Sequence, residues 1–351
     1  MIEIRTLEED SEELSKFCRA VWKQRYADRM PVPLWSGPFF EWELLSGDSG
    51  CRDFLVAAYD KSRLVGILPA RRVQFHVGDR RIAGTLGSFF SVAPEYDGQG
   101  VSLKLHLEQR RRHKEHEVPI STGFVFLGSA LAMGKDFWFR LRTVKVVSRI
   151  GMWVRLIDHR AVSRFECSRR DGWASRFVGL FQGPPRPADD EIGIRPFRDT
   201  DLPECLRLAN DISDAADFGL IWDEHSLSRQ LSFHALPRTI VAEQEGRAKG
   251  FANYFPLDIL GHETVRAGVI DLLSIGELPF ARQKDLLRAT LTRMHEEGCH
   301  LALLLRVPGY ARRLMYGTGF VPQPSDYSYV NETIGPESAV PATRRIHVVW
   351  R

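Results

Sequence analysis

Two stretches of the chain place chemically useful residues in an informative pattern. The first is Val92-Ala-Pro-Glu-Tyr-Asp-Gly-Gln-Gly-Val-Ser102. It follows an apolar run, 89–92, that reads as the end of a strand, and it precedes a charged, helix-favouring segment over 103–117. Pro94 stops the strand, while Gly98 and Gly100 allow backbone angles that other residues avoid. A strand, a glycine loop and a helix start aim several N–H groups at one point, where the helix dipole adds partial positive charge. Such a loop suits an anion such as a pyrophosphate, although two glycines after a proline also make ordinary turns. The second stretch is Val269-Ile-Asp-Leu-Leu273. A carboxylate amid apolar neighbours is costly unless paired, so Asp271 reads either as half of a salt bridge or a cap, or as a proton-transfer group.

The elements that must position these residues follow from periodicity. Ile2-Glu-Ile-Arg-Thr6 alternates and begins a strand, and Asp10 or Ser11 can cap the helix after it. Residues 25–43 carry Pro31, Pro33, Pro38, Trp35, Phe39, Phe40 and Trp42, the pattern of a loop and a short helix over an apolar core. Residues 54–59 and 64–70 form a hairpin, and 81–92 is expected as one further strand. Val101, Leu103, Leu105 and Leu107 alternate like a strand, but the charged run after them favours helix by propensity. A strand over 118–127, a helix over 128–141 and closing strands over 144–147 and 152–156 come next.

After the proline-rich segment 183–190, the pattern starts again. Ile192-Gly-Ile-Arg195 echoes Ile2-Glu-Ile-Arg5, and residues 240–250 echo 55–66. Two echoes in the same order predict a duplicated unit, with domains at 1–160 and 192–351 and a linker at 161–191. The second unit continues with strands over 251–260 and 264–274, a helix over 280–297 and a strand over 300–305. Terminal strands over 327–330 and 346–350 follow, the last reaching across to another sheet.

At 351 residues, two domains are also the expectation from length. With 44% hydrophobic and 26% charged residues, the composition is that of a globular protein. A net charge of +3 gives no reason to invoke nucleic acid. The basic run at 110–114 is flanked by Glu108, Glu115 and Glu117, as on a solvated helix end. The five cysteines are scattered and form no Cys-x-x-Cys pair, which argues for reduced thiols and against a zinc site. No signal peptide is expected from the acidic first ten residues, and no apolar run approaches the ~20 residues of a membrane span. A cytoplasmic protein is the expectation.

Residues 92–102 resemble the acetyl-CoA loop of the GNAT superfamily of N-acetyltransferases, Val-x-Pro-x-x-Arg/Gln-Gly-x-Gly-x-Gly/Ala. Pro94, Gly98 and Gly100 match, whereas Asp97 stands where the family has Arg or Gln, and Ser102 where it has Gly or Ala. Ala311-Arg-Arg-Leu-Met-Tyr-Gly-Thr-Gly-Phe320 resembles the family's late helix with its terminal Gly-Phe pair. The resemblance implies an α/β protein of two tandem GNAT-like domains, each a mixed, mainly antiparallel sheet flanked by helices. It implies acetyl-CoA, or another acyl-CoA, held in the first half by Val92, Asp97, Gly98, Gln99, Gly100, Val101 and Ser102. The implied reaction is N-acyl transfer to a small amine, with Asp271 as base and Tyr316, about one position from the family's usual Tyr, as donor to the thiolate. In the first half, Phe137-Trp-Phe-Arg-Leu-Arg-Thr143 replaces the family's Tyr and Gly-Phe. The other implied reading is therefore a degenerate pair that binds a ligand or partner without turnover. Asp97 would repel a pyrophosphate, so it is expected to turn away, capping the helix or pairing with Lys104, and Asp97→Arg is expected to tighten CoA binding.

Overall fold

The computed structural model describes every residue except 1, 28, 48, 129–132, 166–183, 190, 191, 235, 325 and 336–339, so most of the expected linker and Cys167 lie outside the description. Strands and helices are numbered along the chain. In the first sheet, β1 (Ile2–Thr6) lies antiparallel to β3 (Leu55–Asp60), and β3 turns into the long β4 (Arg63–Val77). β5 (Arg80–Gly87) pairs antiparallel with β4, and the short β6 (Ser91–Val92) returns to it. β7 (Ile120–Phe126) then runs parallel to β5. The second half repeats this order with β10 (Ile194–Pro196), β12 (Arg238–Gln244), β13 (Arg247–Leu260), β14 (Thr264–Ser274) and β15 (Leu301–Leu305), the last pair parallel. Both sheets are thus mixed and mainly antiparallel, as expected.

The sheets do not part at the expected boundaries. β8 (Val144–Ile150) edges the first sheet against β17 (Tyr327–Thr333), which pairs on its other side with β7. One residue later, β9 (Met152–Leu156) lies in the second sheet, between β15 and β16 (Val321–Pro322). β2 (Val32–Pro33) also joins the second sheet, on β13. In return, β11 (Phe218–Ile221) joins β4, and β18 (Ile346–His347) runs beside β11. Residues 144–147 and 152–156, expected as the closing strands of the first unit, close two different sheets. The physical reason is edge satisfaction. β7 and β15 would each present an unpaired row of N–H and C=O groups, and each is covered by a strand from the other half.

Gly151 makes the crossing possible. A Cβ there would lie 2.7 Å from Arg306 Nη2 and 2.8 Å from the carbonyl oxygens of Gln323 and Pro324.

The described helices are α1 (Ser11–Tyr26), α2 (Gly37–Phe40), α3 (Val101–Glu115), α4 (Met133–Trp138), α5 (His159–Phe165), α6 (Leu202–Asp214), α7 (Glu224–Leu231), α8 (Phe280–Glu296) and α9 (Arg312–Gly317). The cap of α1 is Asp10, which accepts from the Glu13 N–H at 2.9 Å. A π-helical turn, Glu41–Leu45, follows α2 and buries Trp42 and Glu43. Residues 101–107 are helical rather than extended: Val101 and Leu105 are buried, while Leu103 and Leu107 are exposed. The rest of the inner stripe of α3 is polar, and each member has a partner. Gln109 donates to the Leu68 carbonyl (2.9 Å), and Arg112 to Thr6 Oγ1 (3.0 Å) and the Asp53 carbonyl (2.9 Å). His113 Nδ1 donates to the Gln109 carbonyl (2.7 Å), leaving Nε2 to accept from Thr85 Oγ1 (2.8 Å); burial pushes its pKa down to about 4, so this neutral form persists. Specific hydrogen bonds here replace an apolar stripe.

Aromatic rings fill the space between the sheets. Trp35 packs on Phe39 (4.5 Å between centroids), Phe89 (5.2 Å) and Trp350 (5.8 Å), and Phe39 reaches Phe255 of β13 (5.4 Å). Cys18, Cys205 and Cys299 are free and buried within the two halves.

Gly151→Ala is expected to force the Gln323–Pro324 backbone away from the crossing. The variant should lose about 1–3 kcal/mol, the usual cost of overpacking. Urea unfolding followed by circular dichroism checks this as a lower midpoint at unchanged slope.

Candidate active site

The site begins where two parallel strands stop being parallel. β5 and β7 pair from Gly84 opposite Ile120 to Gly87 opposite Gly123, so close at the end that a Cβ on Gly123 would sit 2.7 Å from the Gly87 carbonyl oxygen. Beyond that point β7 continues against β17, while the other strand leaves. The strand expected over 81–92 is therefore broken: β5 ends at Gly87, and β6 swings to β4 with Val92 opposite Gly66. The divergence opens a notch.

At its apex Phe89 has φ +58, a left-handed conformation that a bulky residue adopts only under constraint. The constraint is visible. The Phe89 ring is buried against Trp35, Phe39 and Phe40 (5.1–5.7 Å between centroids). Ser91 Oγ donates to the Phe89 carbonyl (2.9 Å) and accepts from Trp22 Nε1 (2.7 Å). Among the described residues, the N–H groups of Phe89 and Phe90 have no protein acceptor.

A cavity of about 570 Å³ fills the notch. Val92, Asp97 and Ser102 line one end, Phe90 and Phe124 the notch itself, and Met152, Leu303 and Trp350 the far wall. The cavity therefore runs from the glycine loop to strands of the second sheet. Its wall is largely apolar, as in small-molecule sites that bury most of a ligand.

The loop has the anticipated backbone. Gly98 and Gly100 have φ +76 and +75, and Gly100 precedes α3 with no side-chain cap. The first-turn N–H groups of Val101, Ser102 and Leu103 consequently have no intrahelical carbonyl. Gln99 folds back on its own loop, its side-chain amide donating to the Glu95 carbonyl (2.9 Å). Val101 turns into the core, so Val92, Asp97 and Ser102 are the members of the set that reach the cavity wall.

Asp97 neither caps α3 nor pairs with Lys104. Its carboxylate is gripped by Arg25 of α1, with Nη2 to Oδ1 at 2.6 Å and Nη1 to Oδ2 at 3.0 Å. Arg25 Nη2 also donates to the Val92 carbonyl at 2.7 Å. The acidic residue of the loop thus imports a guanidinium from another helix, and Arg25 itself lines the cavity. No signal in the sequence ties these two residues, which lie 72 positions apart.

The other two candidates lie elsewhere. Asp271 is fully buried and does not line the cavity. Arg351 Nη1 donates to its Oδ2 at 2.7 Å, and Gln230 Nε2 to the same oxygen at 2.9 Å. Burial pushes the Asp271 carboxyl upward, against the pull of Arg351. Arg351 also donates to Glu43 (Nε to Oε2, 2.6 Å), and Arg71 to Glu43 Oε1 at 3.0 Å. Burial pushes Glu43 up as well, but Arg351 and Arg71 outweigh it and hold its carboxyl below the usual range. Tyr316, on α9, is 55% exposed with its ring edge-on to Trp153 (5.6 Å) and does not reach the cavity. The structure does not bring Asp271 or Tyr316 to the glycine loop.

Sequence reading also missed Glu332 of β17, which lines the cavity beneath α3. It accepts from His106 Nε2 (2.9 Å), Thr143 Oγ1 (2.9 Å) and Arg110.

No protein-family model and no curated protein matches the sequence. Among solved structures, Saccharomyces cerevisiae N-myristoyltransferase with bound myristoyl-CoA is similar over 100% of this chain and 89% of that one, with a TM-score of 0.78 and 14% identity. A GCN5-related N-acetyltransferase from Anabaena variabilis is similar over 95% and 73% (TM-score 0.56, 10% identity), and one from Kribbella flavida over 95% and 72% (TM-score 0.52, 14% identity). The likeness is one of fold, the tandem GNAT arrangement.

Replacing Asp97 with Arg sets two guanidinium groups against each other and removes both Arg25 contacts. Asp97→Arg is expected to weaken CoA binding about tenfold, the scale of one charged hydrogen bond lost, rather than tighten it. Isothermal titration of parent and variant with CoA checks the sign.

Proposed function

We propose that this tandem GNAT chain transfers an acyl group from acyl-CoA to an amine. The observation that carries the reading is one continuous cavity that begins at an open helix start, passes two unpartnered N–H groups and ends against the second sheet. The helix start suits the pyrophosphate of CoA. The N–H groups of Phe89 and Phe90 suit the thioester oxygen, where negative charge develops as the amine attacks. The new C–N bond forms as the C–S bond breaks, CoA leaves through its sulfur, and the amine gives up a proton.

Among the carboxylates on the cavity wall, Asp97 is engaged by Arg25 and Glu332 by His106, Arg110 and Thr143. Asp326, on the cavity wall just before β17, makes no ion pair among the described residues and is assigned as the proton acceptor. Asp271 then serves as a positioning group that holds Arg351 at the far wall.

An acetyl group would leave most of the 570 Å³ unfilled, which favours a longer acyl chain; myristoyl-CoA is the ligand in the yeast N-myristoyltransferase structure. The acceptor is a small amine or the amine of a peptide. Titration with CoA, acetyl-, octanoyl- and myristoyl-CoA tests the assignment. Each buried methylene is worth about 0.8 kcal/mol, so affinity should rise roughly fourfold per methylene until the cavity is full. Affinity that is flat along the series would place the chain outside the cavity. In steady-state assays Asp326→Asn should lower kcat by about 10²-fold with the KM for acyl-CoA unchanged. Binding without turnover predicts the same affinity series but no release of CoA with any amine.

A further inference from the structure

A second cavity, of about 270 Å³, lies at an interruption in sheet pairing. On one edge, β4 pairs with β3 as far as Pro69 and with β11 only from Gln74 onward. Along residues 70–73 that edge has no strand partner. The opening is closed by Gly47 and Gly50 on one side and by the end of β11 and the start of α7 on the other.

The wall is rich in donors. Arg71 is 5% exposed; its Nε is used by Glu43, but Nη2 has no hydrogen-bond partner. Trp222 is 3% exposed, and its Nε1 likewise has none. Both residues line the cavity. Arg72 lines it too, exposed and with no ion pair among the described residues. Arg229 and His225 complete the wall but carry interactions of their own. The acidic member is Asp223, whose Oδ1 is spent on the N–H (2.7 Å) and hydroxyl (2.6 Å) of Ser226 as the cap of α7.

Unpaired buried donors cost free energy until an acceptor arrives. An indole N–H offers one donor and no acceptor, and a guanidinium offers five and none. A ligand that suits this wall therefore carries acceptor oxygens and negative charge. We propose that the second cavity is a binding site for a small phosphate-type oxyanion, free or esterified, held by Arg71, Arg72 and the Trp222 indole. The site is separate from the first cavity: Glu43, which lines neither, stands between Arg71 and Arg351.

Isothermal titration with inorganic phosphate and with glycerol 3-phosphate tests this on the full chain. Arg72→Gln, at an exposed position that leaves the core intact, should weaken binding roughly tenfold, the scale of a charged hydrogen bond. Trp222→Phe keeps the ring and removes the donor, and should weaken binding several-fold. Gly100→Val, which strains the glycine loop at a residue with φ +75, should leave phosphate binding as it is. Tighter glycerol 3-phosphate assigns the cavity to an esterified ligand, and inorganic phosphate at least as tight assigns it to the free ion. No heat with either anion would overturn the proposal, because the donors would then be satisfied by water. Binding lost in Gly100→Val but kept in Arg72→Gln and Trp222→Phe would also overturn it, by placing the anion on the glycine loop.

Discussion

A single residue, Gly151, separates a strand of the first sheet from a strand of the second, and backbone oxygens stand where its side chain would be. Because the chain crosses there, β9 can cover the open edge of β15, and β17 can return to cover β7. Neither half then owns a complete sheet. An edge strand left bare invites pairing with another chain, so the exchange satisfies each half only in the presence of the other. The large cavity depends on the same crossing. Its near wall is the notch between β5 and β7, while its far wall includes Met152, the first residue after Gly151.

A second tie between the halves is ionic. Glu43 and Arg71 come from the first half, while Gln230, Asp271 and Arg351 come from the second. All are buried. Such groups stabilise little relative to apolar residues of the same size, yet removing one partner leaves its neighbour charged and dry, at about 3–5 kcal/mol. The cluster therefore fixes the relative register of the halves more than it adds to their stability. It also holds Arg351, stacked over Trp42 at 4.8 Å, at the wall of the cavity.

Much of this was legible in the sequence where the signal is local. The glycine loop, the helix after it and the echo of residues 2–5 in 192–195 rest on turn chemistry and periodicity, and the loop and the hairpin of residues 54–70 formed as read. The partner of each strand was not legible. Alternation reports that a segment is extended, and nothing in residues 152–156 says which sheet receives them. Long-range ion pairs were equally invisible. Asp97 reads as a repulsive charge until Arg25 is seen beside it, and nothing in the sequence names Arg351 as the partner of Asp271. The polar run of α3 looked unlike a buried helix because its inner face is satisfied by hydrogen bonds from β4, β5 and the loop before β3.

The central claim is that one acyl-CoA molecule spans both halves, with its phosphates at the glycine loop and its acyl chain against the second sheet. Amide hydrogen exchange with and without myristoyl-CoA reads this directly. The account predicts slowed exchange at residues 88–92 and 98–103 of the first half together with 152–154 and 348–350 at the far wall. Protection confined to the first half, or absent from residues 98–103, would contradict it.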